Sequence, residues 1–294
     1  MKIGIMAHPH KAKALELVPR AIALLRDRAE VVLSDETASR LQLTTAHSSV
    51  GAMEVDALVA IGGDGTFLSA LQESLAPLLP INAGTLGFLA EVDGSQPKAL
   101  ENALDRLVRG DYFLESRMKL AAQLKGANLP DATNEIVVHS SQVAKMRRFE
   151  IGINDQPAGR LRGDGVIVAT PTGSTSYALS AMGPIIEATV EGILVAALAP
   201  FQAAQRAVVI DPLRTISVRL VDADRPGVIV VDGRPEIPMP AESTVRIYRS
   251  PRRAVFIRFG LQFYARLRGK KILPWTEESS GPEVPADADL SPPA

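Results

Sequence analysis

Residues Gly62-Gly63-Asp64-Gly65-Thr66 follow directly on the apolar run Ala57-Leu58-Val59-Ala60-Ile61. The run reads as a buried strand. The glycines read as a turn whose backbone can take positive φ and whose N–H groups can face an anion, because glycine has no Cβ to hold a ligand away. Thr66 is placed to N-cap a helix through Leu68 and Leu71, and the positive end of that helix favours phosphate further. Asp64 is out of character for a phosphate cradle. A carboxylate is repelled by the anion such a loop holds, so chemistry on a hydroxyl explains it better than binding alone. The plainer alternative is a glycine-rich strand-to-helix turn in which Asp64 only caps.

The first third of the chain alternates strand-like and helix-like segments, the pattern of a parallel sheet covered by helices. Lys2 to Ala7 is a strand. Leu15, Val18, Ile22 and Leu25 recur at helical spacing, with Pro19 either kinking that helix or marking its start. Short strands follow at Val31 to Leu33 and Leu79 to Asn82, and a helix at Pro97 to Arg109. Both glycine segments, 62 to 66 and 84 to 87, fall at the carboxyl ends of strands, where open α/β sheets collect ligands. Beyond Arg109 the character changes to β-branched runs, Ile136-Val137-Val138, Val166-Ile167-Val168 and Val228-Ile229-Val230-Val231, separated by turn residues. This is the signature of a layered, antiparallel β domain, with one helix through Ala178 to Met182 as the exception. The expected division is an α/β domain over 1–112, a β-rich domain over 113–259, a helix over 260–275 that packs back on the first domain, and a disordered tail over 276–294, where Pro, Ser, Asp and Glu replace apolar periodicity.

Bulk properties narrow the function. At 294 residues, 46% hydrophobic and 22% charged, the chain is long enough for two cores. A net charge of −1 provides no global field for nucleic acid or an anionic membrane, so any phosphate site is local. The absence of cysteine excludes disulfides, a thiolate nucleophile and cysteine-type zinc sites. No hydrophobic run reaches membrane-spanning length and the apolar start is too short for a signal peptide, so the expected location is cytoplasmic.

A second constellation begins where the run Val166 to Ala169 ends: Thr170-Pro171-Thr172-Gly173-Ser174-Thr175-Ser176-Tyr177-Ala178-Leu179-Ser180. So many neutral donors and acceptors suit ribose hydroxyls and base edges. The alternative is a capped helix start, for which Ser174 and Thr175 also serve. Asn134-Glu135 supplies an amide and a carboxylate that could fork onto adjacent hydroxyls. Lys145 and Arg162 could offset pyrophosphate charge, whereas Arg147, Arg148, Arg252 and Arg253 are expected to be solvated. His8 and His10 have no partner ligands at matching spacing and are assigned to a surface turn. Ser174 lacks a nucleophile elbow.

Taken in order, Gly62 to Thr66, Asn134-Glu135, Arg162-Gly163-Asp164-Gly165, Thr170 to Tyr177 running to Pro184, and Asp232-Gly233 resemble the NAD kinase family over most of the chain. The ending Phe263 to Lys271 with Trp275 is similar to that family's last helix. The glycine loop is shared with diacylglycerol, sphingosine and phosphofructokinase relatives; the Thr-Pro-Thr-Gly-Ser-Thr segment is far more specific. The resemblance implies a Rossmann-like α/β domain joined to a β-sandwich-like domain with NAD between them, and transfer of a phosphoryl group from ATP or polyphosphate to the 2′-hydroxyl of the adenosine ribose. It implies Asp64 as proton acceptor and the glycine loop (Gly62, Gly63, Gly65, Thr66) on the dinucleotide and phosphates. It further implies Asn134 and Glu135 on ribose and adenine-side groups, Asp164 at the nicotinamide end, and Thr175, Ser176, Tyr177, Ala178, Leu179 and Ser180 on adenine, with Lys145, Arg162 and Arg234 as further binding positions. Mg2+ is expected to arrive with the donor phosphates, without a protein metal site, and the assembly to be a homodimer or homotetramer. The chain departs from the family pattern at Ser176 (usually Ala), Met182 (usually Gly), Phe201 (often His), Ala207 (usually Pro) and Arg234 (usually Gln or His). Two other readings share the glycine loop or the fold: a lipid kinase, which needs an acyl pocket, and a non-catalytic dinucleotide sensor, which has no need of Asp64.

Overall fold

The computed structural model describes residues 1–84, 87–142, 145–202, 205–222, 225–260, 263–270 and 272. The apolar run ahead of the glycine loop is the strand Ala57–Gly62, buried at every position. Its sequence does not alternate because both faces are covered. Ala57, Val59 and Ile61 join Ile3, Ile5, Leu17, Val18 and Leu104 in one core, while Leu58 and Ala60 meet Phe67, Leu71 and Phe256 in another on the opposite face. The parallel strands lie in the order His47–Ser48, Glu30–Ser34, Lys2–Ala7, Ala57–Gly62, Leu78–Asn82. The chain moves outward from Lys2–Ala7 in one direction and then crosses back to Ala57–Gly62 on its other side. Strand order reverses between these two, and a ligand crevice opens beyond their carboxyl ends.

The helix Ala12–Leu25 buries Ala14, Leu17, Val18, Ala21 and Leu25. Pro19 lies inside it, so Pro19 does not mark its start; the residue is exposed and disturbs no core contact. The helix Pro97–Arg109 has the expected bounds and ends on Gly110, whose φ of 74° makes a left-handed cap.

The later part of the chain is mainly β. Six antiparallel strands form one layer in the order Val208–Ile210, Ile193–Leu198, Gly165–Ala169, Glu135–Ser140, Gly227–Val231, Ile237–Met239. Ile136, Val138, Val166, Val168 and Ile229 from this layer pack on Met118, Leu120, Phe149, Val218, Val245 and Ile247 from the other sheet. That second sheet is continuous with the parallel one. Its strand Thr244–Arg258 pairs antiparallel with Phe113–Leu124 and Ile216–Leu220, and then parallel with Leu78 through Phe256. The helix expected through Met182 is shorter, a 3-10 turn Thr172–Thr175 followed by Tyr177–Ser180. Met182 adopts φ 60°, a left-handed conformation that ends the helix as a glycine cap would. The described part of the last helix is Phe263–Gly269, with Leu267 buried. Leu261, Lys271, Trp275 and the expected tail 276–294 lie outside the described residues. Among the described residues no helix is long and apolar enough to cross a membrane.

Candidate active site

The helix after the glycine loop starts two residues earlier than its sequence suggests, running Asp64–Glu73 with Gly63 as N-cap. Thr66 therefore lies buried in the first turn and does not cap. None of the loop glycines uses positive φ; that conformation is confined to Gly110, Gly126 and Gly233 among the described glycines. What the loop needs is proximity: a methyl at Gly62 would overlap Thr66 Oγ1, whereas one at Gly65 would enter open space. Asp64 does not cap either. Its Oδ2 accepts from Phe88 N at 2.9 Å and its Oδ1 from Leu89 N at 3.3 Å, and a methyl at Gly87 would overlap the carboxylate.

Asp64, Gly63, Gly65, Thr66 and Ser69 share a cavity of about 330 Å³ with His8, Lys11 and Glu36. It opens at the carboxyl ends of Lys2–Ala7 and Ala57–Gly62, where strand order reverses. Lys11 Nζ lies 3.2 Å from the position a Cβ on Gly63 would take. His10 is exposed as expected of a surface turn, but His8 faces the cavity. Partial burial, then the charge of Lys11, holds His8 below the ordinary imidazole range, so it is neutral at pH 7. Among the described residues Glu36 and Asp64 are the carboxylates lining this cavity, so a divalent cation here would be held chiefly by the phosphates that carried it.

A second cavity, of about 280 Å³, is lined by Glu135, Val137, His139, Tyr177, Leu198, Val230 and Gly233. Burial, reinforced by the nearby Asp232 charge, pushes the Glu135 carboxyl up to about 7. Burial also raises Asp232, against the pull of three backbone amides, from Thr133 and Asn134 at 2.7 Å and from Glu135 at 3.1 Å. Ser176 Oγ donates to Glu135 Oε1 at 3.3 Å. Glu135 Oε2 and Asn134 Oδ1 are buried with no protein partner among the described residues. They are acceptors fitted to a ligand's hydroxyls. The Thr-Pro-Thr-Gly turn backs this wall: a methyl at Gly173 would overlap the Asn134 carbonyl, and Thr170 Oγ1 donates to Thr133 O at 2.5 Å.

The turn Asp232-Gly233-Arg234 joins the two cavities. Asp232 holds the Asn134–Glu135 backbone, Gly233 lines the second cavity, and Arg234 Nη2 donates to Ser69 Oγ, at the rim of the first, at 2.8 Å and pairs with Glu73 at 3.5 Å. Other singled-out residues lie elsewhere. Ala178 is fully buried in a core with Val137 and Ile167; Thr175 Oγ1 donates to Thr172 O at 3.1 Å; Leu179 is half-buried and Ser180 exposed. Lys145 is exposed and lines neither cavity. Asp164 is tied through its backbone to Ser140 and Leu198. Arg162 stacks 4.8 Å from the Phe201 ring, in a third cavity with Arg148 and Arg160. Arg147, expected in solvent, is 2% exposed and donates to the Arg225 carbonyl; Arg252 and Arg253 pair with Asp131 and Glu191. Lys11, Ser69 and the Phe88 and Leu89 amides are the site groups the sequence left unmarked. Lys11 could have been found from its place just past a central parallel strand.

Two family models match the chain: the ATP-NAD kinase N-terminal domain over residues 3–112 and the ATP-NAD kinase C-terminal domain over residues 133–259. The NAD kinase of Methanothermobacter thermautotrophicus is 36% identical over 277 residues, covering 92% of this chain and 96% of that protein. The crystal structure of an NAD kinase from Archaeoglobus fulgidus in complex with ATP superposes with a TM-score of 0.75 at 28% identity, covering 92% of this chain and 98% of that one. The yeast NADH kinase complexed with NADH shares the fold, with a TM-score of 0.85 at 21% identity over 96% of this chain and 90% of that one.

Proposed function

The chain belongs to the NAD kinase family, and on that footing we propose that it transfers the γ-phosphoryl group of ATP to the 2′-hydroxyl of the adenosine ribose of NAD, with Asp64 as proton acceptor. The 2′-oxygen forms a bond to the γ-phosphorus as the bond to the β–γ bridging oxygen breaks; ADP leaves with those electrons, and the hydroxyl proton passes to the Asp64 carboxylate. The transition state is loose, so placement and charge contribute most of the acceleration and the base acts late. The observation that carries this reading is the Asp64 carboxylate on the glycine loop at the strand-order reversal, linked by the 232–234 turn to a wall of hydroxyl-seeking groups.

The work divides between residues 1–112, which bring the donor to the glycine loop, and 113–259, which hold the dinucleotide. Asn134 and Glu135 take ribose hydroxyls through their unpartnered acceptors, Tyr177 and Ser176 flank the adenine, and Asp164 and Arg162 receive the far end. Mg2+ supplies charge neutralisation when it enters bound to the donor phosphates. Cytoplasmic residence and homo-oligomerisation complete the proposal. The test is NADP formation by wild type and Asp64→Asn, with NAD or NADH crossed against ATP or polyphosphate. A fall of three or more decades is expected for Asp64→Asn; equal rates would remove Asp64 from the chemistry.

A further inference from the structure

We propose that Arg266, delivered by the last helix, is a positioning residue for Asp64 that acts through the Phe88–Leu89 peptide; this rests on the reading of Asp64 as proton acceptor. Arg266 Nη1 donates to the Phe88 carbonyl at 2.6 Å, and Leu89 N donates to Asp64 Oδ1 at 3.3 Å. These two atoms belong to one peptide group. In a trans peptide the C=O and the following N–H point in opposite directions within one rigid plane, so a guanidinium fixed on one edge aims the donor on the other. The positive charge on the carbonyl oxygen also polarises that plane and strengthens its N–H as a donor. Neighbouring groups are held as well: Arg258 Nη1 donates to Leu89 O at 3.0 Å, and Phe88 N donates to Asp64 Oδ2 at 2.9 Å.

The guanidiniums are themselves anchored. Glu91, fully buried, lies 3.1 Å from Arg258 and 3.5 Å from Arg266 and accepts from Phe259 N at 2.9 Å. Glu115 pairs with Arg258 at 2.6 Å and with Arg117 at 2.9 Å. Burying so many charges is a poor route to stability compared with apolar packing, and here the cluster ends on the two carbonyls behind the catalytic acid. Arg266 and Leu267 are the buried residues of the helix Phe263–Gly269, so that helix docks on the first part of the chain through the residue that reaches Phe88.

The test compares Arg266→Lys, Arg266→Met and Asp64→Asn. For both Arg266 variants kcat is expected to fall about 10- to 100-fold, the range of a misplaced catalytic group, while KM for NAD and for ATP stays within about threefold of wild type. The backbone 15N–1H resonance of Leu89 is expected to move upfield in both. Millimolar guanidinium, but not NaCl at equal ionic strength, should restore part of the Arg266→Met rate, which loss of folding would not allow. Should the methionine variant fail to fold, the lysine variant carries the same kcat and resonance readouts. Wild-type kcat with an unmoved Leu89 resonance in a folded Arg266 variant overturns the proposal, provided Asp64→Asn is inactive; full activity in Asp64→Asn instead overturns the reading beneath it.

Discussion

Glu135→Gln isolates the most perturbed carboxyl of the second cavity. Burial and the Asp232 charge lift the Glu135 carboxyl from 4.5 to about 7, which at roughly 1.4 kcal/mol per pH unit amounts to about 3 kcal/mol of differential stability. The sign follows from proton binding. The folded protein keeps the Glu135 proton up to about pH 7 while the unfolded chain releases it near the ordinary value, so the folded state binds more protons between the two and stability falls as pH rises through that window. The contribution is complete below about pH 4.5 and lost above about pH 7. Asp232, also raised by burial and tied to three backbone amides, is common to both proteins, so its titration is not the difference between them. Glutamine keeps the shape and the acceptor for Ser176 but has no proton to lose. Urea unfolding midpoints at intervals from pH 5 to pH 8 should therefore show the wild type losing about 2.5 kcal/mol relative to Glu135→Gln, most of it between pH 5.5 and 7.5. A stability difference between the two proteins that stays constant across that range would refute the burial argument.

Gly87→Ala places a methyl in the space of the Asp64 carboxylate; displacement of the acid by about 1 Å should cost on the order of 100-fold in kcat, read as NADP formation with the thermal midpoint followed in parallel. Lys11→Met removes the cation that faces the glycine loop, and KM for ATP should rise about tenfold as one charge-assisted phosphate contact is lost, with KM for NAD unchanged; initial rates against ATP check it.

Strands were legible wherever burial is two-sided or alternating, as at Ala57–Gly62 and Gly227–Val231, because apolar composition there is a local necessity. The Pro97–Arg109 helix was legible at both ends for the same reason: Pro at its first turn and Gly110 beyond it are local stereochemistry. The start of the next helix to the glycine loop was not. Thr66 has the better capping side chain, yet Phe67 N and Thr66 N both reach the Gly63 carbonyl, and packing of Phe67 and Leu68 into the core draws the helix back to Asp64. The burial of Arg147 is not legible locally because its partner carbonyl lies 78 residues away. The partners of Asp64 lie 24 and 25 residues away, and those of Arg266 farther still. Motif spacing marks which residues carry chemistry; it does not mark the backbone groups that orient them.

The two parts of the chain meet through a thin seam of backbone pairing, since Phe256 against Leu78 is the register contact that joins the parallel strands to Thr244–Arg258. Phe256 and Ile257 also pack into the apolar cores of the first part, and beside them polar contacts converge. Lys119, 2% exposed and held below the usual ammonium range by burial, donates to Leu71 O at 2.7 Å; Arg234 reaches Ser69; Arg258 and Arg266 hold Leu89 and Phe88. Leu71 and Ser69 belong to the helix that begins with Asp64, and Phe88 and Leu89 are the amides facing its carboxylate. Every one of these four cations comes from beyond residue 112. Asp64 is thus borne by one part of the chain and oriented by the other; with Asp64 as the proposed proton acceptor, the gap its proton crosses is set by the same contacts that join the two, and a change at this seam is expected to reach the rate even where it touches neither nucleotide.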